Sequence, residues 1–160
     1  MATFKGAGSG SGRDTKEFSR QCYTVTAIDG SWEMTKLSSQ LTGQQTLQMR
    51  FQDMAFQECF DGIWACASLL HVPRDEIDQV FQRFTTALKP RGVWHTSFKL
   101  GSEERITGDR LFNDYNEWLI KQLLSKHPSL ELLEVWQTSD KMPNSRNLKW
   151  INILARKLYS

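Results

Sequence analysis

The sequence predicts a single α/β domain built on a mostly parallel β-sheet. Segments with the period of a helix alternate with short β-rich segments along most of the chain, and such alternation implies right-handed βαβ units. Residues 62–67, Gly-Ile-Trp-Ala-Cys-Ala, are almost entirely apolar, as expected for a parallel strand covered on both faces. Because 160 residues suffice for one hydrophobic core, we expect one domain over residues 1–160.

The first half of the chain opens with a glycine-rich segment at residues 6–12. Asp14 lies favourably near the amino end of the helix that follows, and Asp29-Gly30 is typical of the end of a strand. The patterns predict, in order, a helix at 13–22, a strand at 23–28, a helix at 32–41 and strands at 47–51 and 62–67.

The second half contains the clearest helix, at residues 74–88. Its apolar residues recur at the spacing of one helical face, namely Ile77, Val80, Phe81, Phe84 and Leu88. Pro73 suits the helix start, and Lys89-Pro90-Arg91-Gly92 predicts a turn. The remaining segments predict a strand at 93–98, a mobile polar loop at 99–109, a helix at 114–126 and two strands at 132–137 and 150–158.

Composition argues against several classes of function. The net charge is +2 and the basic residues are scattered, which disfavours nucleic-acid binding. No apolar run approaches the ~20 residues that span a bilayer, and the first residues lack the apolar core of a signal peptide, so we expect a cytoplasmic protein without membrane contact. The three cysteines are widely spaced, and neither a disulfide framework nor a metal site is expected.

The glycine-rich segment and Asp29 together indicate a nucleotide-like ligand. Ligands of open α/β sheets bind at the carboxyl ends of the strands, where a glycine turn lets the backbone and helix amides approach them. A carboxylate at the end of the second strand can bind ribose hydroxyls, and Asp29 lies there, seventeen positions after Gly12.

The dinucleotide-binding pattern G-x-G-x-x-G fails in every register of this segment. The third glycine is replaced by Ser11, Arg13 or Thr15, depending on the register, which weakens a pyrophosphate-binding interpretation. No Gly-Lys-Ser/Thr follows either, so the segment is not a P-loop. A nicotinamide-dependent oxidoreductase is therefore disfavoured.

Five segments carry a specific family resemblance. They are Gly-Ser-Gly-Ser-Gly-Arg-Asp at 8–14, Val-Thr-Ala-Ile-Asp-Gly-Ser at 25–31, Phe-Gln-Asp at 51–53, Phe-Asp-Gly-Ile-Trp-Ala-Cys-Ala-Ser-Leu-Leu-His-Val-Pro at 60–73 and Leu-Lys-Pro-Arg-Gly-Val at 88–93. In this order they resemble class I S-adenosylmethionine-dependent methyltransferases, in particular the small ones related to tellurite-resistance proteins. The resemblance implies methyl transfer from S-adenosylmethionine to a small molecule. It also implies a Rossmann-like three-layer sandwich of strand order 3-2-1-4-5-7-6, with an antiparallel carboxy-terminal strand.

The resemblance also implies a set of cofactor-binding residues. In the family, the acid matching Asp29 binds the ribose and the acid matching Asp53 commonly meets the adenine amine. The implied set is Gly8, Gly10, Gly12, Arg13, Asp29, Gly30, Ser31, Met34, Gln52, Asp53, Met54, Ala65 and Ser68. Other interpretations stay open: Asp53 as an exposed turn acid, Met34 as a core residue and Arg13 as a solvated helix-start residue. His71, after the fourth strand, is a candidate substrate contact or a polar loop residue, and no catalytic residue is identified.

The chain departs from the family at its amino end. Gly6 stands where the family usually has an acid, the first strand offers only Phe4 as a large apolar residue, and the usual preceding helices are lacking. A truncated, catalytically inactive domain that acts in binding or assembly is therefore the alternative function. Since those helices normally cover the sheet, we also expect a homodimer that buries the bare apolar surface.

Overall fold

A mixed β-sheet forms the centre of the structure. The computed structural model describes residues 3–7, 9–140 and 148–159. Within these residues the strands are β1 (Thr3–Ala7), β2 (Thr24–Asp29), β3 (Leu47–Gln48), β4 (Phe60–Ala65), β5 (Leu88–Lys99), β6 (Glu104–Thr107), β7 (Arg110–Asn113), β8 (Leu130–Ser139) and β9 (Lys149–Lys157). The helices are α1 (Arg13–Arg20), α2 (Trp32–Thr42), α3 (Ile77–Ala87) and α4 (Glu117–Ser125), with 3₁₀ turns at Phe51–Asp53 and Leu69–His71.

The sheet has the order β3-β2-β1-β4-β5-β9-β8, and β6 and β7 form a separate hairpin. The first five strands pair in parallel, whereas β9 pairs antiparallel with β5 and with β8. The predicted α/β fold class is confirmed. The chain proceeds from β1 outward to β3 and then resumes on the other side at β4, so a topological switch point lies between β1 and β4.

One face of the sheet is covered by α3 and α4. The predicted apolar stripe is buried, but only its first four residues belong to α3, namely Ile77, Val80, Phe81 and Phe84. The helix is shorter than the predicted 74–88, and Leu88 is the first residue of β5 instead. Phe81 and Phe84 lie against Trp94 of β5 with ring centroids 4.5 and 5.0 Å apart. Helix α4 adds Ile120, which is fully buried in the same core. This apolar layer forms the core of the domain on that face of the sheet.

The helices α1 and α2 pack through small polar side chains instead. Their buried residues are Thr15, Thr35 and Ser38. By contrast, Trp32 and Leu37 of α2 are 58% and 48% exposed. The two helices therefore approach each other closely while α2 leaves apolar side chains on the surface.

The predicted polar loop at 99–109 is wrong at Lys99, which ends β5, and at 104–107, which form β6. The chain forms the hairpin β6–β7, with Glu104 opposite Asn113 and Thr107 opposite Arg110. Gly108 has a φ of +65°, which suits the first position of a two-residue hairpin turn. The alternation needed to recognise these strands is hidden, because few of their residues are buried. The mobility of this segment stays a prediction.

Two other segments differ from the predictions in detail. The predicted turn at 89–92 lies inside β5 as a bulge, since Phe60 pairs with Leu88 but Gly62 pairs with Val93. The predicted strand at 47–51 shortens to β3 because Asp53 N donates to Arg50 O and closes the 3₁₀ turn. Both changes alter the path of the chain without changing the order of elements.

Several observations bear on excluded classes of site. The three cysteines are free, and partial burial raises the pKa of the Cys66 thiol. Among the described residues, no group of three or more histidine, cysteine and acidic side chains could hold a metal ion. No helix in the described ranges is long and apolar enough to cross a membrane.

Candidate active site

A cavity of about 530 Å³ opens at the carboxyl edge of the sheet, beside the switch point. Six parts of the chain contribute to it: the glycine turn after β1, the end of β2, the start of α2, the turn after β3, the segment after β4 and the hairpin. Its lining consists of Gly10, Asp29, Gly30, Ser31, Met34, Met49, Arg50, Phe51, Gln52, Ala67, Ser68, His71, Val72 and Arg110. A cavity of this size and position is typical of a small-molecule site.

The carboxylate of Asp29 organises one end of the cavity. Its Oδ2 accepts a hydrogen bond from Gly10 N at 2.9 Å, and its Oδ1 accepts one from Ser31 N at 2.9 Å. Ser31 in turn caps α2, since its hydroxyl accepts from Met34 N at 3.3 Å. Each carboxylate oxygen keeps a further lone pair, so Asp29 can still accept hydrogen bonds from two ligand hydroxyls.

The described glycines of the loop have different roles. Gly10 has a φ of +53°, and no described heavy atom lies within 4 Å of a Cβ built on it. Gly12 has a φ of +90°, and its Cβ would lie 2.6 Å from Ser38 Oγ and 2.9 Å from Ser38 Cα. Gly10 therefore leaves room for a ligand, whereas Gly12 allows the loop to pack against α2.

Seven of the predicted cofactor-binding residues line the cavity, and His71, the candidate substrate contact, lines it as well. The seven are Gly10, Asp29, Gly30, Ser31, Met34, Gln52 and Ser68. Met34 is 38% exposed rather than a core residue. Their roles toward a bound cofactor stay predictions.

Five predicted residues do not line the cavity. Met54 and Ala65 are 1% and 0% exposed and pack in the core. Ala65 does so because alternate positions of a strand face opposite sides of the sheet. Asp53 faces solvent, where both its oxygens accept from Arg50, at 2.8 and 3.1 Å. Gly12 is covered by Ser38, and Arg13 is exposed on α1.

Gly8, the remaining predicted cofactor-binding residue, lies outside the described residues.

Sequence reasoning missed six of the lining residues, namely Met49, Arg50, Phe51, Ala67, Val72 and Arg110. Three of them directly precede Gln52, and their position after β3 is a signal that could have found them. Arg110 carries no such signal, because it reaches the cavity through the hairpin that the sequence did not reveal.

His71 also lines the cavity and holds a defined orientation there. Its Nδ1 lies 2.8 Å from the carbonyl oxygen of Leu111, and its ring contacts Phe112 edge-on at 4.9 Å. Arg110 Nη2 lies 3.4 Å from His71 Nε2. Burial lowers the pKa of His71, the hydrogen bond to Leu111 opposes this shift, and the nearby charges of Arg110 and Lys99 lower the pKa further. The imidazole is therefore neutral near pH 7.

Sequence and structure comparisons agree on the type of domain. A family model described as a methyltransferase domain matches residues 6–95. Comparison with curated protein sequences gives no match.

Several solved structures share the fold over nearly the whole chain. A S-adenosylmethionine-dependent methyltransferase from Methanosarcina mazei superposes with a TM-score of 0.86 and 16% identity, covering 99% of this chain and 93% of that one. A Burkholderia thailandensis 1,6-didemethyltoxoflavin-N1-methyltransferase, solved with 1,6-didemethyltoxoflavin and S-adenosylhomocysteine bound, gives a TM-score of 0.81 and 24% identity, covering 99% and 72%. The [4+2]-cyclase SpnF gives a TM-score of 0.78 and 16% identity, covering 99% and 76%.

Proposed function

This chain belongs to the class I S-adenosylmethionine-dependent methyltransferase family, and from that premise we propose that it transfers a methyl group from S-adenosylmethionine to a small-molecule acceptor. The family model covers more than half of its 160 residues. The observation that carries the proposal is the juxtaposition of Asp29 with Gly10 at the carboxyl edge of the sheet. S-adenosylmethionine is the cofactor of this family.

The residues present suit that cofactor. Asp29 keeps acceptor capacity for ribose hydroxyls, Gly10 leaves open space, and Ser9 Oγ is buried without a hydrogen-bond partner among the described residues. A buried hydroxyl without a partner is costly, and a ligand in this loop could supply one. We assign the ribose to Asp29 and the adenine to the neighbourhood of Met34 and Gln52, which line the cavity together.

The protein's contribution to the reaction is chiefly positioning. When bound, the cofactor supplies a methyl group activated by a sulfonium. Asp29 and the glycine loop would hold the donor, while His71 and Arg110, which line the same cavity, would hold the acceptor. In-line alignment and removal of water are then the main sources of rate.

Titration calorimetry with S-adenosylhomocysteine tests the cofactor site. Asp29→Ala should weaken binding by roughly 1.5–3 kcal/mol, the range for hydrogen bonds to a charged group. Because Asp29 also binds Gly10 N and Ser31 N, Asp29→Asn and an unfolding curve are needed to separate lost binding from a disturbed loop. Glu134→Ala removes an exposed carboxylate from β8 and serves as the matched control. Unchanged affinity in Asp29→Ala would exclude this assignment.

Asp53→Ala tests the predicted adenine contact separately. Its carboxylate is now paired with Arg50, so it must change partner to reach adenine. A loss of affinity smaller than that of Asp29→Ala would support the contact, and an unchanged affinity would remove Asp53 from the site.

The same titrations separate the alternative functions. Binding of S-adenosylhomocysteine without turnover on any acceptor would favour the inactive binding or assembly domain. Binding of NAD in its place would favour an oxidoreductase. The likeness to SpnF, a cyclase, is a reminder that the fold alone does not fix the reaction.

A cytoplasmic location, a homodimer, the absence of a nucleic-acid partner and a shortened amino end all stay predictions.

A further inference from the structure

Arg110 of the hairpin and Lys99 of β5 bring unpaired positive charge close to His71, and the part of the cavity beside His71 is hereafter the acceptor end. Arg110 lines the cavity, and Lys99 lies over the ring of Phe112, which in turn contacts His71. Among the described residues, neither Arg110 nor Lys99 has a carboxylate within ion-pair distance. The other arginine of the lining, Arg50, is neutralised by Asp53 at 2.8 Å. The cation that faces the acceptor end is therefore Arg110.

The hydrogen bonds of His71 fix its tautomer. The carbonyl oxygen of Leu111 can only accept, so His71 Nδ1 donates to it at 2.8 Å. The neutral ring consequently carries its lone pair on Nε2, and the nearest donor to that atom is Arg110 Nη2 at 3.4 Å. This contact is long for a hydrogen bond, so a ligand can displace it at little cost.

The guanidinium of Arg110, which can only donate hydrogen bonds, thus lies beside His71 Nε2, which accepts one. The complementary ligand presents an anionic oxygen to Arg110 and a hydroxyl proton to His71, from neighbouring atoms. We propose that the acceptor is a small carboxylic acid with an adjacent hydroxyl, whose carboxylate binds Arg110 and whose hydroxyl proton is taken by His71 Nε2. This inference rests on the proposed function.

The step balances without a further reactant. The hydroxyl oxygen forms a bond to the methyl carbon, the carbon–sulfur bond breaks, and its electron pair stays on the sulfur of S-adenosylhomocysteine. The hydroxyl proton moves to His71 Nε2 and later to water. The charged groups that face His71 are Arg110 from β7 and Lys99 from β5. A bound carboxylate offsets the charge of Arg110, so protonation of His71 becomes easier once the acceptor is in place.

The probe is 2-hydroxybenzoate, a small planar compound with the required pair of groups, and its neutral counterpart is 2-hydroxybenzamide. Both are titrated calorimetrically into the protein saturated with S-adenosylhomocysteine. We expect the carboxylate to bind at least about tenfold more tightly, in keeping with a charge-assisted hydrogen bond. Arg110→Gln should abolish this preference. Arg91→Gln, which removes a charge that hydrogen-bonds Tyr159 far along β5, should retain it.

A nuclear magnetic resonance titration of the His71 ring gives a readout that does not depend on turnover. The pKa of His71 should rise when 2-hydroxybenzoate binds, should already be raised in free Arg110→Gln, and should not change with 2-hydroxybenzamide. His71→Gln should keep the carboxylate preference but lose the proton uptake that accompanies binding. Equal affinity for both probes in the wild-type protein, or a preference that survives Arg110→Gln, would overturn the inference.

The failure of this inference and that of the proposed function give different results. If S-adenosylhomocysteine binds and the probes do not differ, only the acceptor assignment fails. The probes are therefore also titrated into the free protein. The other result is a preference for the carboxylate that depends on Arg110, although S-adenosylhomocysteine does not bind. That result would support an anion-binding site at Arg110 and His71 and would overturn only the proposed methyl transfer.

Discussion

The two faces of the sheet are held in different ways. On the face covered by α3, hereafter the α3 face, Phe84 and Trp94 are at most 1% exposed and their rings pack together with centroids 5.0 Å apart, although Trp94 Nε1 is buried without a hydrogen-bond partner among the described residues. On the opposite face, hereafter the α1 face, Trp64 stacks on His95 with centroids 4.0 Å apart and donates to Asp14 of α1 at 3.0 Å. His95 also contacts Asn152 at 3.3 Å, and its Nδ1 is buried without a partner among the described residues.

The difference between the two faces indicates which one contributes more to stability and which one lies beside the cavity. Burial of apolar area is the dominant favourable term in folding, and most of the large buried side chains belong to the α3 face. The α1 face depends on aromatic stacking and polar contacts, and its helices begin at the loops that carry Gly10 and Ser31. The cavity thus lies beside the loops of the face that contributes fewer large buried side chains to the core.

The largest expected effect comes from the α3 face. Phe84→Ala should lower the free energy of unfolding by about 3–5 kcal/mol, because it leaves a cavity in a core that cannot collapse onto it. Phe18→Ala on α1, whose ring packs edge-on against Trp64 at 5.6 Å, should cost about 1–2 kcal/mol because its burial is partial. Urea unfolding followed by circular dichroism measures both. Equal losses would contradict the contrast between the faces, and Phe84→Leu is the milder variant if Phe84→Ala does not fold.

A second change breaks the close packing of α1 on α2. Gly12→Ala should destabilise the protein by about 2–4 kcal/mol, the sum of left-handed backbone strain and overpacking against Ser38. Gly43→Ala is the matched control, since Gly43 also has a positive φ, +72°, but no described heavy atom lies within 4 Å of its Cβ position. Gly43→Ala should lower the free energy of unfolding only by the cost of left-handed backbone strain, about 1–2 kcal/mol. The same cost for both variants would show that the contact with Ser38 is unimportant.

A smaller effect should appear as a pH dependence of the α1 face. Burial lowers the pKa of His95 from its ordinary value near 6.5, so the unfolded state binds its proton more readily. The free energy of unfolding should therefore be fully retained above about pH 6.5 and fall as the pH drops below it. His71 contributes in the same direction.

Unfolding curves between pH 5 and 8 measure this dependence. In His95→Gln, the free energy of unfolding should fall less steeply with decreasing pH than in the wild-type protein. The same measurement on His71→Gln gives the contribution of His71 to this pH dependence. A decline of the same slope in His95→Gln would mean that this imidazole does not titrate as its burial implies.

The smallest expected effect on stability comes from the exposed side chains of α2. Leu37→Lys should change the free energy of unfolding by no more than about 0.5 kcal/mol, since the side chain is on the surface. It should nevertheless weaken the predicted homodimer, because Leu37, Trp32 and Leu41 expose 41–58% of their surface on this helix. Leu133→Lys, which replaces a 39% exposed leucine of β8, is the control.

Light scattering over a range of micromolar concentrations measures the mass of both variants. A wild-type mass of 18.5 kDa at every concentration would contradict the homodimer. Equal dissociation of both variants would place the interface elsewhere.

Elements whose pattern is local could be predicted from the sequence. The stripe of α3 and the apolar run of β4 follow from burial on one or both sides, and both are found near their predicted positions. Asp29 could be placed as a candidate because a glycine loop and a strand-end acid lie at a recognisable spacing. The hairpin β6–β7 could not be predicted from the sequence, because its strands are mostly exposed and lack an apolar alternation.

The sequence by itself predicted the α/β class, because hydrophobic period is a local property of consecutive residues. It indicated the family through the resemblance of five motifs in order, and it made the glycine loop and Asp29 candidates for the site. Only the tertiary structure decided that Gly12 serves packing, that Asp53 pairs with Arg50 and that Arg110 meets His71. The last two residues are 39 positions apart, and they meet only because the hairpin returns to the carboxyl edge of the sheet. Contacts of this kind depend on the path of the chain in space, which no local pattern of residue types records.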